Sequence, residues 1–166
     1  AAGGGGTRRG GAVWAAVGAR TGVPLRWGAV PGSGGDSRFV EMRGHGDYSI
    51  IGQSIDDAAG EGFDKVARFL GLGYPGGPAI DSEARLGSAT AIEFPRAMLH
   101  DGLDVSFSGL KTAVINHVRK NPSVSTADVA ASFQLACIDV LVVKARRAAK
   151  QIGARPVALG AGVAAT

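Results

Sequence analysis

The sequence predicts an α/β fold, on three observations. Arg38-Phe-Val-Glu-Met-Arg43 and Tyr48-Ser-Ile-Ile51 read as short strands around the turn Gly44-His-Gly-Asp47, which makes a hairpin. Three later stretches carry apolar residues at helical spacing. Pro156-Val-Ala-Leu159 then reads as a short buried strand opening into Gly160-Ala-Gly-Val-Ala-Ala-Thr166, a strand-to-helix glycine loop of the kind that aims N–H groups at a phosphate.

The chain has 166 residues, of which 45% are hydrophobic, enough for the core of one domain or of a piece of a larger one. A net charge of +4 permits contact with nucleic acid without requiring it. The one cysteine, Cys137, has no partner for an internal disulfide and lies in an apolar helical pattern, where a small buried hydrophobe is expected. The lack of a disulfide framework suits a reducing cytosol, and the expected location is cytoplasmic. No run reaches the roughly 20 apolar residues that a membrane span needs, and no apolar signal core opens the chain.

Residues 1 to about 28 combine Gly3–Gly6, Arg8-Arg9 and two tryptophans with little periodicity, and read as low-complexity and poorly ordered. Pro31-Gly-Ser-Gly-Gly35 reads as a flexible loop. It is either an ordinary turn or a ring of N–H groups for an anion.

The next stretch organises the chain. Ser54, with Asp57 three residues on, is placed to cap a helix. Ile55, Ala59, Phe63, Val66 and Leu70 form its apolar face, and Gly71 and Gly73 stop it. Asp57, Glu61, Asp64 and Arg68 line up on the other face. That row is either a solvated face with Glu61–Lys65 and Asp64–Arg68 pairs, or a row of carboxylates facing ligand hydroxyls. Tyr74-Pro-Gly-Gly-Pro78 reads as a stiff turn that lets backbone approach a ligand, with Pro75 preventing the helix from resuming.

Asp81 to Leu86 reads as a short helix, and Phe94-Pro-Arg96 as a break. Ser106-Phe-Ser-Gly-Leu-Lys-Thr112 leads into a helix with Leu110, Val114 and Val118 inward, ended by Asn121-Pro122. Lys111 lies near its start, where the dipole disfavours a cation, so it is a candidate anion contact; the alternative is an exposed lysine. Ser125-Thr-Ala-Asp128 caps the longest helix, expected to run to about Ile152 with Val129, Phe133, Ala136, Cys137, Val140 and Leu141 as its stripe. Lys144, Arg146, Arg147 and Lys150 suit the dipole of its last turns, with RNA contact as the alternative.

Other chemistries lack their spacing. Gly71-Leu-Gly-Tyr-Pro-Gly76 follows a helix rather than a strand, so the dinucleotide reading fails. His45, His100 and His117 show no metal spacing, and Ser33 is not in a nucleophile elbow.

Five stretches occur together in one order: Ser54 to Arg68, Leu70 to Pro78, Phe94-Pro-Arg96, Phe107-Ser-Gly-Leu-Lys-Thr-Ala113 and Asp128-Val-Ala-Ala-Ser-Phe-Gln134. Over about residues 31–166 the chain resembles the tRNA threonylcarbamoyladenosine transferase family, formerly described as O-sialoglycoprotein endopeptidases. The resemblance implies an actin-like, sugar-kinase-like (ribonuclease H-like) fold of two α/β lobes, of which the chain covers the middle. Residues 1–30 are then a segment outside the family. Residues 31–53 are the end of the first lobe, and residues 54–166 are second-lobe helices, an insert and the first Gly-loop strand.

It also implies an acyltransferase that moves threonylcarbamoyl from threonylcarbamoyl-adenylate to the amino group of the adenosine just 3′ of the anticodon, in tRNAs that read codons starting with A. Gly32, Ser33, Gly34, Gly35 and the loop ending at Thr166 then hold the phosphate side, Asp64 contacts the ribose hydroxyls and Gly77 lies against the nucleoside. Asp57, Glu61 and Lys111 stand behind them. The family's partners are a paralogous protein and a small ATPase, with no membrane.

The family also binds one iron or zinc ion, through a His-x-x-x-His pair and a late aspartate that this sequence lacks. Its Gly-Gly-His-Thr reads Gly34-Gly-Asp-Ser37 here, and its Gly-Gly-Val-Ala-Ala-Asn reads Ala161-Gly-Val-Ala-Ala-Thr166. The expectation is an incomplete or frame-damaged member, inactive by itself. A non-catalytic remnant or partner-binding module is the alternative, and a metallo-glycoendopeptidase ranks last.

Overall fold

The computed structural model describes residues 27–33, 36–44, 47–153 and 157–160. Gly34, Gly35, His45 and the loop from 161 to Thr166, all singled out above, lie outside the described residues.

Four strands form one sheet in the order β3-β2-β1-β4. β1 (Trp27–Ser33) pairs antiparallel with β2 (Asp36–Gly44), which pairs antiparallel with β3 (Asp47–Gln53). The expected hairpin is present, with both strands longer than the apolar runs suggested. β4 (Val157–Gly160) runs parallel to β1, with Pro31 opposite Gly160.

One expectation changes here. Gly32 and Ser33 are strand residues opposite Ser37 and Asp36, not members of a five-residue loop. Residues 31–53 share their sheet with β4. The pairing of β1 with β2 begins at Trp27.

Between β3 and β4 lie four helices: α1 (Ala59–Phe69), α2 (Gly76–Ala84), α3 (Ser108–Lys120) and α4 (Thr126–Ile152). α1 and α4 pack on β1 and β2, and α2 packs between α1 and α4. Phe39, Phe63, Ile80, Val105, Phe107 and Phe133 are among the buried side chains of the shared core. The Phe63 and Phe133 rings meet edge to face at 5.0 Å, a geometry that contributes about 0.5–1.5 kcal/mol beyond the area buried.

α1 begins four residues later than its sequence signals. Ser54 N–H donates to Ser37 O (2.9 Å) and Ile55 N–H to Val105 O (3.0 Å), so both are still held by neighbouring extended chain. The Ser54 hydroxyl donates to the Asp57 carbonyl at 2.6 Å instead of capping the helix. The first helical N–H, that of Ala59, donates to the hydroxyl of Ser37 at 3.0 Å. Ile55 is consequently exposed, not inward. The glycine stop holds: Gly71 (φ 75°) and Gly73 (φ 96°) are left-handed, where a Cβ is disfavoured.

Pro75 does not end helical structure; it stands at the N-cap of α2. Proline and glycine both fit a helix start, where free N–H groups have no intrahelical acceptor. The short helix expected over Asp81–Leu86 is the second half of α2, which closes at Ala84.

α4 matches its expected bounds, cap and stripe. Ser125 Oγ accepts from Asp128 N–H (3.3 Å), and Gly153 is a left-handed C-cap (φ 64°). Its basic end differs. Lys144 is fully buried, donating to the carbonyls of Asp101 and Gly102, and burial lowers its pKa. Arg147 donates to the carbonyls of Gly102 (2.8 Å) and Leu99 (3.2 Å). Lys144 and Arg147 therefore pin the 99–102 turn, which removes them from the RNA alternative. By length and composition α4 is also apolar enough to cross a membrane, although no unbroken apolar run marks it in the sequence. It packs as a core helix: Val129, Phe133, Ala136 and Val140 are buried, and Asp139 pairs with Arg96 at 2.8 Å.

A Cβ on Gly87 would lie 2.2 Å from the Ala127 backbone, whereas one on Gly109 meets nothing within 4 Å. Gly87→Ala should therefore cost about 1–3 kcal/mol through overpacking. Gly109→Ala should stabilise by roughly 0.5–1 kcal/mol through chain entropy. Urea unfolding of both variants checks the opposite signs.

Candidate functional site

The sheet topology brings the ends of β1 and β4 together. β1 and β4 are adjacent and parallel, so the chain leaves Ser33 and Gly160 at the same edge of the sheet. Ser37, opposite Gly32, carries the first N–H of α1 on its hydroxyl. The start of α1 is thus tied to that edge, and residues 54–58 lie between the two.

Asp56 and Asp57 divide the work of joining α1 to α3. Asp56 accepts from the N–H groups of Phe107 (2.9 Å) and Ser108 (3.3 Å), and from the hydroxyls of Ser106 (2.5 Å) and Ser108 (2.7 Å). It therefore caps α3 from fifty residues away. Partial burial opposes its ionisation, but the hydrogen bonds from Ser106, Ser108 and Phe107 outweigh it and hold the carboxyl below its ordinary value.

Asp57 accepts from Lys65 (2.5 Å) and from Lys111 (2.9 Å). Those two bonds, Lys65's first, lower its pKa. Lys65 is also 4.0 Å from Glu61. The anion that Lys111 contacts in this structure is therefore Asp57, and Lys111 is half-buried rather than a free surface lysine.

Asp64 is a helical turn further along α1. Its Oδ1 accepts from Gly76 N–H at 2.8 Å. Among the described residues its other oxygen has no hydrogen-bond partner and is free to accept from a ligand. The Asp64–Arg68 pair is not formed.

A Cβ on Gly76 would sit 2.5 Å from Asp64 Cα and 2.6 Å from Asp64 N. The close backbone approach read from the Pro-Gly-Gly-Pro sequence is thus Gly76 against α1. Gly77, the candidate ligand contact, is the next residue along α2 and is half-buried. Asp64 and Gly77 thus lie at the contact of α1 with α2, and Asp57 and Lys111 at the contact of α1 with α3, while Glu61 is near Lys65 on α1 and Gly32 and Ser33 end β1. Sequence reasoning missed Asp56 and Gly76. The signal for Asp56 was the Ser106-x-Ser108 helix start with no local acidic cap; Gly76 had no signal beyond its neighbour.

Among the described residues, no group of three or more His, Cys, Asp or Glu is placed to hold a metal ion. His117 stacks edge to face on Phe94, with ring centroids 5.7 Å apart. The described residues do not fit a metal centre.

Because the folded-state pKa of Asp57 is depressed, its pair with the lysines stabilises above the ordinary carboxylate pKa, near 4, and is lost as pH falls through the folded value. Asp57→Asn removes that contribution. The variant should lose less stability than the parent between pH 6 and pH 3, as read from urea midpoints. An equal loss in both would refute the assignment.

A family model described as tRNA N6-adenosine threonylcarbamoyltransferase matches residues 29–166. Curated relatives carry the same description. One from Desulfitobacterium hafniense is 55% identical over 138 residues, covering 80% of this chain and 40% of the relative. One from Trichlorobacter lovleyi is 51% identical over 137 residues, and one from Clostridioides difficile 50% over 137, each with the same coverage. The chain spans about 40% of the length of the curated relatives it matches. With most of its length matched, the chain belongs to the tRNA N6-adenosine threonylcarbamoyltransferase family.

Proposed function

We propose that the complete protein transfers threonylcarbamoyl from threonylcarbamoyl-adenylate to the amino group of a tRNA adenosine, and that this chain supplies part of the surface that binds the adenylate. In that reaction the amino nitrogen attacks the carbamoyl carbonyl, a C–N bond forms, the amine loses a proton and AMP leaves. Substrate and product both present a ribose with two hydroxyl donors.

The observation that carries the reading is the Asp64–Gly76 contact. One carboxylate oxygen is fixed by Gly76 N–H at 2.8 Å, and the other is left to accept from a hydroxyl. A carboxylate anchored this way needs little reordering when a ribose arrives. Gly77 adds no side chain beside it, which leaves room for a nucleoside. Gly32 to Gly35 and the loop ending at Thr166 take the phosphate side, at the edge where β1 and β4 finish. Asp57 and Lys111 support the junction from behind, and Glu61 extends the same negative face.

The two-lobe actin-like architecture is part of the proposal. A mixed α/β sheet with helices between its third and fourth strands supports it. The paralogous protein and small ATPase implied as partners belong to the same reading, as does a cytoplasmic location where tRNA is available. Any iron or zinc would be held by residues outside the described part of this chain, and no step is derived through it.

The test uses a chimera in which residues 29–166 replace the matching 138 residues of the Desulfitobacterium hafniense relative. AMP binding is measured by titration calorimetry. Asp64→Asn keeps an oxygen for Gly76 N–H but removes the charge, so folding should be retained while AMP affinity falls about tenfold. Unchanged affinity would exclude Asp64 from the ribose site. A parent chimera that binds no AMP would defeat the adenylate reading itself.

A further inference from the structure

Tyr74 stands in solvent beside the Asp64–Gly76 contact. At 82% it is the most exposed of the large apolar side chains described. Among the described residues its ring meets no other ring and its hydroxyl makes no hydrogen bond. A single exposed apolar side chain is ordinary in itself; the position of this one is not. After α1 ends at Phe69 the chain folds back, with the N–H groups of Gly71 and Leu72 donating to the carbonyls of Arg68 (3.2 Å) and Ala67 (2.9 Å). Gly76 is then buried against the Asp64 backbone, with its N–H on the Asp64 carboxylate at 2.8 Å. Only two Cα steps, about 8 Å at most, separate Tyr74 from that contact. Pro75, whose ring fixes its φ, follows Tyr74 directly.

We propose that Tyr74 is a stacking platform for an unpaired base of the RNA substrate, next to the acceptor adenosine, and that Arg68 takes a phosphate of the same strand. The proposal rests on the transferase reading. An adenosine whose amino nitrogen is to attack a carbonyl has to be out of a base pair, and unpaired loop bases are recognised by stacking on aromatic rings, with cations beside them for the strand. The local charge fits. Between Asp64 and Asp81 the sequence has no carboxylate and two exposed cations, Lys65 and Arg68. Lys65 is bonded to Asp57 at 2.5 Å, whereas Arg68 has no ion pair among the described residues. The exposure of the ring separates RNA from the adenylate. A small ligand is held by groups that are themselves partly buried, as Asp64 and Gly77 are. A ring this open suits a large ligand that arrives from solvent with several bases and covers the rim.

The chimera that carries residues 29–166 is titrated separately with AMP, by calorimetry, and with an RNA stem-loop whose loop holds the acceptor adenosine unpaired, by fluorescence anisotropy. Tyr74→Ala should weaken RNA binding about tenfold and leave AMP affinity unchanged. Tyr74→Phe and Tyr74→Trp keep a ring and should stay within about twofold of the parent. Tyr74→Trp should also add fluorescence that RNA quenches and AMP does not. Arg68→Gln should lower the slope of log affinity against log salt by about 0.7, the value of one phosphate contact on a single strand. Unchanged RNA affinity in Tyr74→Ala, an equal loss in Tyr74→Phe, or a parent that binds no RNA would overturn the platform, and an unchanged salt slope would remove Arg68 from it. A fall in AMP affinity in Tyr74→Ala would overturn it too, by giving the ring to the adenylate. A parent that binds RNA through Tyr74 but binds no AMP would defeat the adenylate reading and leave the platform standing.

Discussion

Residues 54–58 are held out of the helix that follows them, and most of the architecture depends on that restraint. Ser54 and Ile55 give their N–H groups to Ser37 and Val105, strand-like partners on opposite sides. With those donors committed, α1 starts only at Ala59, whose N–H finds the Ser37 hydroxyl. The freed segment then does what a helical turn could not. It turns Asp56 onto the start of α3 and Asp57 onto lysines of both α1 and α3. If the helix began at Ser54, the two neighbouring aspartates would point about 100° apart on one cylinder. They could not both reach α3.

This also explains what was legible in the sequence and what was not. α4 could be read almost residue by residue, because its cap, stripe and stop are all local: Ser125, the run from Val129 to Val140, and Gly153. The stop of α1 was equally local, in Gly71 and Gly73. Its start was not. Ser54-Ile-Asp-Asp57 satisfies every local rule for a helix start, and is overruled by hydrogen bonds to residues about 20 and 50 positions away. The Pro-Gly-Gly-Pro stretch was legible as a place needing close backbone approach. The approaching surface, the α1 backbone at Asp64, was not written in it.

The basic residues teach the same lesson from the other side. Lys144 and Arg147 looked like dipole partners or nucleic-acid contacts because a sequence shows charge before it shows burial. In the fold their donors belong to the 99–102 turn, which leads through Asp104 to Gln53 N–H (2.9 Å) and through Val105 to the Gln53 carbonyl (3.0 Å). They hold the turn that holds the end of β3. Hydrogen bonds from charged donors contribute about 1.5–3 kcal/mol each, so a structural role alone accounts for two cations in the last turns of α4.

Electrostatics bears on which part of the proposed adenylate the carboxylates of α1 suit. Asp56, Asp57, Glu61 and Asp64 outnumber Lys65, Arg68 and Lys111, and both lysines already bond to Asp57. The junction is negative on balance, so it favours hydroxyl donors and disfavours a phosphate. That supports giving the ribose to Asp64 and moves Lys111 from candidate anion contact to internal counterion. The phosphate side needs a place with free N–H groups and fewer carboxylates. In this fold the candidate is the edge where β1 and β4 end together, with glycines following both strands in sequence. Asp36, opposite Ser33 at that edge, is the one substitution there that works against an anion. In the proposed site the two ends of the adenylate would be sorted by charge: hydroxyls at the carboxylates of α1, phosphate at the ends of β1 and β4.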